Sequence, residues 1–145
     1  MKIQRTVETT APLSAVYAYL SDFTTTNEWD PGTVETTRVS GDGGPGTVYR
    51  NVSSFAGRKT ELSYTVTDRE TDRLFALRGE NKTVVARDTM EFAATPTGTR
   101  VTYTADFDFK GLAKFVVPFM APAFKKLGDE AEEGLKKTLA GLPAH

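Results

Sequence analysis

The chain has no cysteine, and its one histidine, His145, is the last of its 145 residues. The first absence excludes disulfides and thiolate metal sites. The second removes the commonest catalytic base, so a Ser-His-Asp arrangement cannot be assembled, and a transition-metal site would need carboxylates alone. No metal and no cofactor is expected, and His145, just behind Pro143, is expected to be frayed. Long apolar runs are also missing: nothing approaches the roughly 18 residues of a membrane span, and the opening MKIQRTVETT lacks the apolar stretch of a secretory signal. A cytoplasmic protein without integral membrane association is the expectation. No block of like charges occurs, and 18 basic against 19 acidic residues leave a net charge of -1. That balance gives no electrostatic footprint for nucleic acid. The glycine cluster GDGGPG sits between two strand-like segments without the helix and Lys-Ser/Thr of a phosphate loop, so it reads as a turn.

What is present is an ordinary globular composition, with 39% hydrophobic and 26% charged residues. With no repeat and no linker, residues 1–145 are expected to form one domain, acting as a monomer or weak dimer. Residues 2 to 9, KIQRTVET, alternate Ile3 and Val7 with polar neighbours, as a strand with one wet face does. Pro12 then suits a first helical position, and Leu13, Val16, Leu20 and Phe23 recur at helical spacing. Thr25 and Glu28 form a possible capping box for one further turn reaching Trp29, before Asp30-Pro31-Gly32 turns the chain. From Thr33 the sequence is rich in Thr, Val, Tyr and Phe, and turn residues divide it into strands at 33–40, 46–55, 58–68, 73–80, 83–93 and 99–109. In the last of these Val101, Tyr103, Ala105, Phe107 and Phe109 share one face and polar residues the other.

The closing segment from Gly111 to Leu142 holds the only long helical pattern. Pro118 and Pro122 predict a short first piece, a restart near 118–122 and a long helix to about Gly141. Such a helix, arriving after a meander, has the concave face of the sheet on which to bury its apolar side. The chain is therefore read as a container for an apolar ligand.

The words TAPLSAVYAYLSDF, NEWDP and TMEFAATPTGTRVTYTADF, in this order of elements, resemble the helix-grip superfamily that includes START lipid-transfer domains and bacterial polyketide cyclase/dehydrase-like proteins, often called SRPBCC. The resemblance spans nearly the whole chain. It implies an α+β fold in which a curved seven-stranded antiparallel sheet wraps around a long C-terminal helix, with two short helices between strands 1 and 2. It also implies a deep, mostly apolar cavity between sheet and helix, used by different members for lipid carriage, hormone sensing or polyketide ring closure. The superfamily shares no catalytic residue that could be carried over to this sequence.

Within that frame, strand alternation puts Asp88 on the face of Val84, Ala86, Met90 and Phe92, toward the cavity, and Arg78 on the opposite face of its strand. Asp88 is thus a ligand anchor or a general acid/base, or a carboxylate held by a tyrosine or arginine near a strand end. Tyr49, Tyr64 and Tyr103 have the amphipathic shape to line a pocket, Tyr103 beside Phe107. Trp29 either gates a cavity mouth or packs between the small helices and the sheet. Phe115 to Met120 is apolar on more than one side, as a lid, a buried first turn or a partner surface would be, and Phe115, Phe119 and Phe124 join the candidate ligand-binding set. Three functions follow: binding of a small hydrophobic or aromatic ligand, a cyclase or dehydratase using Asp88 and cavity tyrosines, or a module that docks on a protein or membrane surface.

Overall fold

Strand patterns govern the chain over residues 2–9 and again from Thr33 to Phe109. In the computed structural model, which describes residues 1–143, they yield seven strands: β1 (Lys2–Thr9), β2 (Thr33–Ser40), β3 (Val48–Phe55), β4 (Arg58–Glu70), β5 (Leu74–Glu80), β6 (Val84–Thr95) and β7 (Gly98–Phe109). The expectation for His145 lies outside the described residues. The strands form one antiparallel sheet in the order β1-β7-β6-β5-β4-β3-β2, a meander from β2 to β7 with β1 added beside β7. Register shifts in β2 and between Val66 and Asp68 of β4 supply the local extra twist that a sheet curling around a helix requires.

Between β1 and β2 lie the two short helices α1 (Leu13–Leu20) and α2 (Thr26–Trp29), joined by a 3₁₀ turn at Phe23–Thr25. Their starts differ from the sequence expectation. Pro12 precedes α1 as its cap, still extended at ψ 151°, while its carbonyl accepts from Ala15 and Val16 at 3.1 Å each. The capping box does not form. Asp22 instead accepts from the Thr24 backbone N–H at 3.0 Å and caps the 3₁₀ turn, while Glu28 accepts from the Tyr19 hydroxyl at 3.0 Å. One turn earlier, a competing acceptor occupied the role assigned to Thr25.

After β7 come 3₁₀ turns at Gly111–Phe115 and Val117–Met120, then the twenty-residue helix α3 (Ala121–Ala140). Pro118 and Pro122 each fall in the first turn of their element, where a missing N–H costs no helical bond. The buried stripe of α3 is Phe124, Gly128, Ala131, Leu135 and Leu139, a 3–4 spacing that faces the sheet. Two glycines let this helix come close. A Cβ at Gly128 would meet Ile3 Cγ2 at 2.6 Å, and one at Gly134 would sit 1.7 Å from the Trp29 carbonyl oxygen. The helix is therefore seated on β1 and on the end of α2, and Arg5 of β1 holds it from the rim through Asp129 at 3.0 Å and Glu132 at 3.5 Å. Among the described residues no helix is long and apolar enough to cross a membrane.

The core is unevenly filled. At one end α1, the C-terminal half of α3 and the sheet pack solidly around Val16, Tyr17, Phe75, Phe92, Leu135 and Leu139, with Tyr17 edge-on to Phe92 at 5.0 Å. Toward the start of α3 the helix and sheet part.

Candidate functional site

The gap encloses a cavity of about 450 Å³. Alternate residues of the strands form its floor: Asn51, Ser53 and Phe55 on β3, Thr60, Leu62 and Tyr64 on β4. Asp88 of β6 and Tyr103, Ala105, Phe107 and Phe109 of β7 continue it, since side chains two apart share a face. Trp29 closes one side from α2, and Phe124, Leu127 and Ala131 roof it from α3. Phe124 stacks against Phe55, Phe107 and Phe109 with ring centroids 4.9, 5.3 and 5.8 Å away. At the rim stand Ala56 and Arg58 of the β3–β4 hairpin and Val116 and Met120 of the 3₁₀ turns, so the opening lies where the prolines interrupt the closing segment.

Six of the eleven candidates from sequence line this space: Trp29, Tyr64, Asp88, Tyr103, Phe107 and Phe124. Five do not. Met90 and Phe92 share the face of Asp88 but lie further along β6, where α1 covers the sheet, and they are core residues. Tyr49 is buried on the far side of Phe23, at 5.6 Å ring to ring, and borders a separate polar depression with Asp22, Arg38 and Arg69. Phe115 and Phe119 are 64% and 84% exposed. A 3₁₀ turn repeats every three residues, and here Ala113 and Val116 present the cavity side, leaving the two phenylalanines outside.

The structure adds residues that the sequence did not single out: Phe23, Thr26, Asp30, Asn51 and Ser53. Asn51 and Ser53 have the same strand parity as Phe55, a signal that was available. They are tied into the fold, because Asn51 Nδ2 donates to Thr36 Oγ1 at 2.8 Å and the Ser53 hydroxyl donates to Asn51 Oδ1 at 2.7 Å. Asp30 reads from sequence as a turn residue, and it is one: its carboxylate accepts from Gly32 N and Thr33 Oγ1 at 3.0 Å each.

Asp88 is the chemically unusual member. It is 6% exposed, its Oδ2 accepts from the Tyr103 hydroxyl at 3.0 Å, and its Oδ1 has no partner among the described residues. Burial pushes its pKa up to about 7; the Tyr103 hydrogen bond opposes that rise and the charge of Asp30 adds to it. Burial likewise holds the Tyr64 and Tyr103 phenols well above their ordinary range, with Asp88 adding to both. Arg78 points away and pairs with Glu80 at 2.9 Å, as alternation requires. Beside Tyr103, at 5.7 Å between rings, the Trp29 indole is also buried with its Nε1 unpartnered. Tyr64 is placed by the strand next to it: a Cβ at Gly79 would lie 2.6 Å from its ring, so only glycine lets the phenol lie across β5. Among the described residues no three His, Asp or Glu side chains are grouped to hold a metal ion.

Set beside known proteins, the chain has the same fold as several solved structures. An aromatase/cyclase from Streptomyces superposes with a TM-score of 0.81 at 15% identity, covering 96% of this chain and 93% of that one. A START superfamily protein from Mycobacterium smegmatis gives 0.72 at 21%, covering 97% and 94%. The di-domain ARO/CYC protein BexL gives 0.74 at 13%, with this chain spanning 99% of its own length and 51% of that chain. No curated protein matches in sequence. Residues 1–140, however, match the family described as polyketide cyclase / dehydrase and lipid transport. With its seven-stranded antiparallel sheet and long closing helix, the chain belongs to that family.

Proposed function

We propose that the protein binds a small hydrophobic or aromatic molecule between sheet and closing helix. The observation that carries this reading is the cavity of about 450 Å³ whose walls are mainly apolar and aromatic, with a few polar groups set among them. Such a space falls in the range of small-molecule sites. Phe107 and Phe109 of β7 are only half-buried beneath Phe124 of α3, and all three rings line the space. Native mass spectrometry of freshly purified protein tests the reading: a mass increment lost on mild activation, or uptake of an added apolar probe, is expected. Failure to take up any of a panel of apolar probes would refute it.

One observation favours a second reading, a cyclase or dehydratase acting on a polyketide-like substrate. Asp88, with a pKa of about 7 and Tyr103 donating to it, can both accept and return a proton near neutrality, as a general acid/base must. In this reading the carboxylate takes a proton next to a substrate carbonyl and a phenol hydrogen-bonds the oxygen on which charge develops. Turnover of a poly-β-ketone substrate that falls by two orders of magnitude or more in Asp88→Asn would support it; turnover unchanged in that variant would remove it.

A further inference from the structure

Two side chains of the cavity wall each carry a buried polar atom with no partner among the described residues, and the two atoms are of opposite kind. Trp29 Nε1 can only donate a hydrogen bond, and Asp88 Oδ1, when ionised, can only accept one. Both side chains belong to the cavity wall and both flank Tyr103, whose ring is 5.7 Å from the indole and whose hydroxyl is bonded to the other oxygen of Asp88. Buried polar atoms are nearly always paired, because an orphan forfeits its bonds to water without recompense. The smallest uncharged group that accepts from the indole and donates to the carboxylate at once is a hydroxyl.

The charges around this end narrow the class further. Besides Asp88 the wall contains Asp30, and its only cationic side chain is Arg58, exposed at the rim. A carboxylate or phosphate placed at the buried end would face two carboxyl groups without a counter-ion, which burial makes severely unfavourable. An ammonium group would satisfy Asp88 but would leave the indole N–H unpaired, since it has no acceptor.

Resting on the ligand-binding reading above, we infer that the cavity selects an uncharged apolar molecule bearing a hydroxyl, an alcohol or a phenol, which enters with that hydroxyl leading and lodges it between Trp29 and Asp88.

The chain has one tryptophan, and it lies in this site, so its fluorescence reports occupancy without a label. The probes are 1-decanol, decanoate and decylamine, titrated at pH 8 by fluorescence and calorimetry into the wild type, Asp88→Asn and Asp88→Leu, each checked for folding by circular dichroism. The wild type is expected to bind decanol at least tenfold more tightly than either charged probe and to shift its emission on binding. Asp88→Asn, which lacks the charge, is expected to bring decanoate within about threefold of decanol; Asp88→Leu, which removes the acceptor, is expected to weaken decanol about tenfold. Decanoate or decylamine binding as tightly as decanol to the wild type would overturn the inference and leave the ligand-binding reading intact. So would a decanol preference that survives unchanged in both variants. Binding of none of the three would overturn both.

Discussion

Asp88 is held in a place that disfavours its charge, and this sets how stability depends on pH. An unfolded Asp titrates at the ordinary value of 3.8, whereas the folded one titrates at about 7. Between those values the folded chain retains a proton that the unfolded chain has released, so stability falls as pH rises from about 4 to about 7 and levels off above. The loss from this group is on the order of a few kcal/mol. Asp88→Asn, still able to accept from Tyr103, is expected to match the wild type near pH 4 and to exceed it by that amount at pH 8. Urea unfolding at the two pH values checks this; an offset between the proteins that does not change with pH would count against it. Tyr103→Phe acts on the same pair in the other sense. Losing the donor to Oδ2 disfavours the ionised carboxylate, so Asp88 should titrate higher still, and the fold should lose about 1–3 kcal/mol at pH 8. Carbon-detected NMR of the Asp88 carboxyl follows the first effect, and denaturant unfolding the second.

Among the elements, α3 depends most on a residue that looks wrong for it. Gly134 lies mid-helix, where alanine would be more favourable by about 1 kcal/mol. Its missing Cβ is what admits the Trp29 carbonyl. Gly134→Ala is therefore expected to destabilise by about 1–3 kcal/mol despite better helix propensity, because backbone meets backbone and neither can rotate away. A shifted Trp29 emission in the folded variant would show that the helix has moved off α2; an unchanged spectrum with raised stability would contradict the close seating. Much at this scale was legible beforehand. Alternation at residues 2–9 and 99–109, with strand-rich composition and turn signals between them, placed all seven strands to within two residues at each end. The prolines located the restart of the closing segment, and the aromatic face of β7 was read correctly. What parity could not supply was position along a strand: Asp88, Met90 and Phe92 share a face, but α1 covers the last two and the cavity takes the first. Nor does parity reveal which strand a distant helix rests on. Phe124 of α3 stacks on Phe107 and Phe109 of β7, but Gly128 and Arg5 also bring the helix onto β1, a contact between residues more than a hundred positions apart. Tyr49 was lost for a similar reason, since Phe23, from the short 3₁₀ turn after α1, stands beside it.

At the scale of the molecule the fold is densely packed at one end and open at the other, and the two ends bear on stability and function in opposite senses. The dense end, around Val16, Phe75, Phe92, Leu135 and Leu139, supplies the core that a domain of this size needs. At the open end Phe124 reaches the aromatic floor, but wall atoms that still face the void lose the dispersion contacts that packing would give them. If the space exists to be occupied, filling it from within should strengthen the empty protein and abolish uptake. Ala105 of β7 and Ala131 of α3 are both buried and both on the cavity wall, from opposite sides. Replacing both with leucine, Ala105→Leu and Ala131→Leu, is expected to raise the unfolding free energy of the ligand-free protein by about 1–2 kcal/mol, as cavity-filling changes commonly do. The same double variant should lose the thermal stabilisation that a saturating ligand gives the wild type, about 2.7 kcal/mol at one hundred times the dissociation constant. Differential scanning calorimetry with and without 1-decanol measures both effects in one experiment. A double variant that is less stable than the wild type would mean that the walls are already in contact and no room is kept for a ligand.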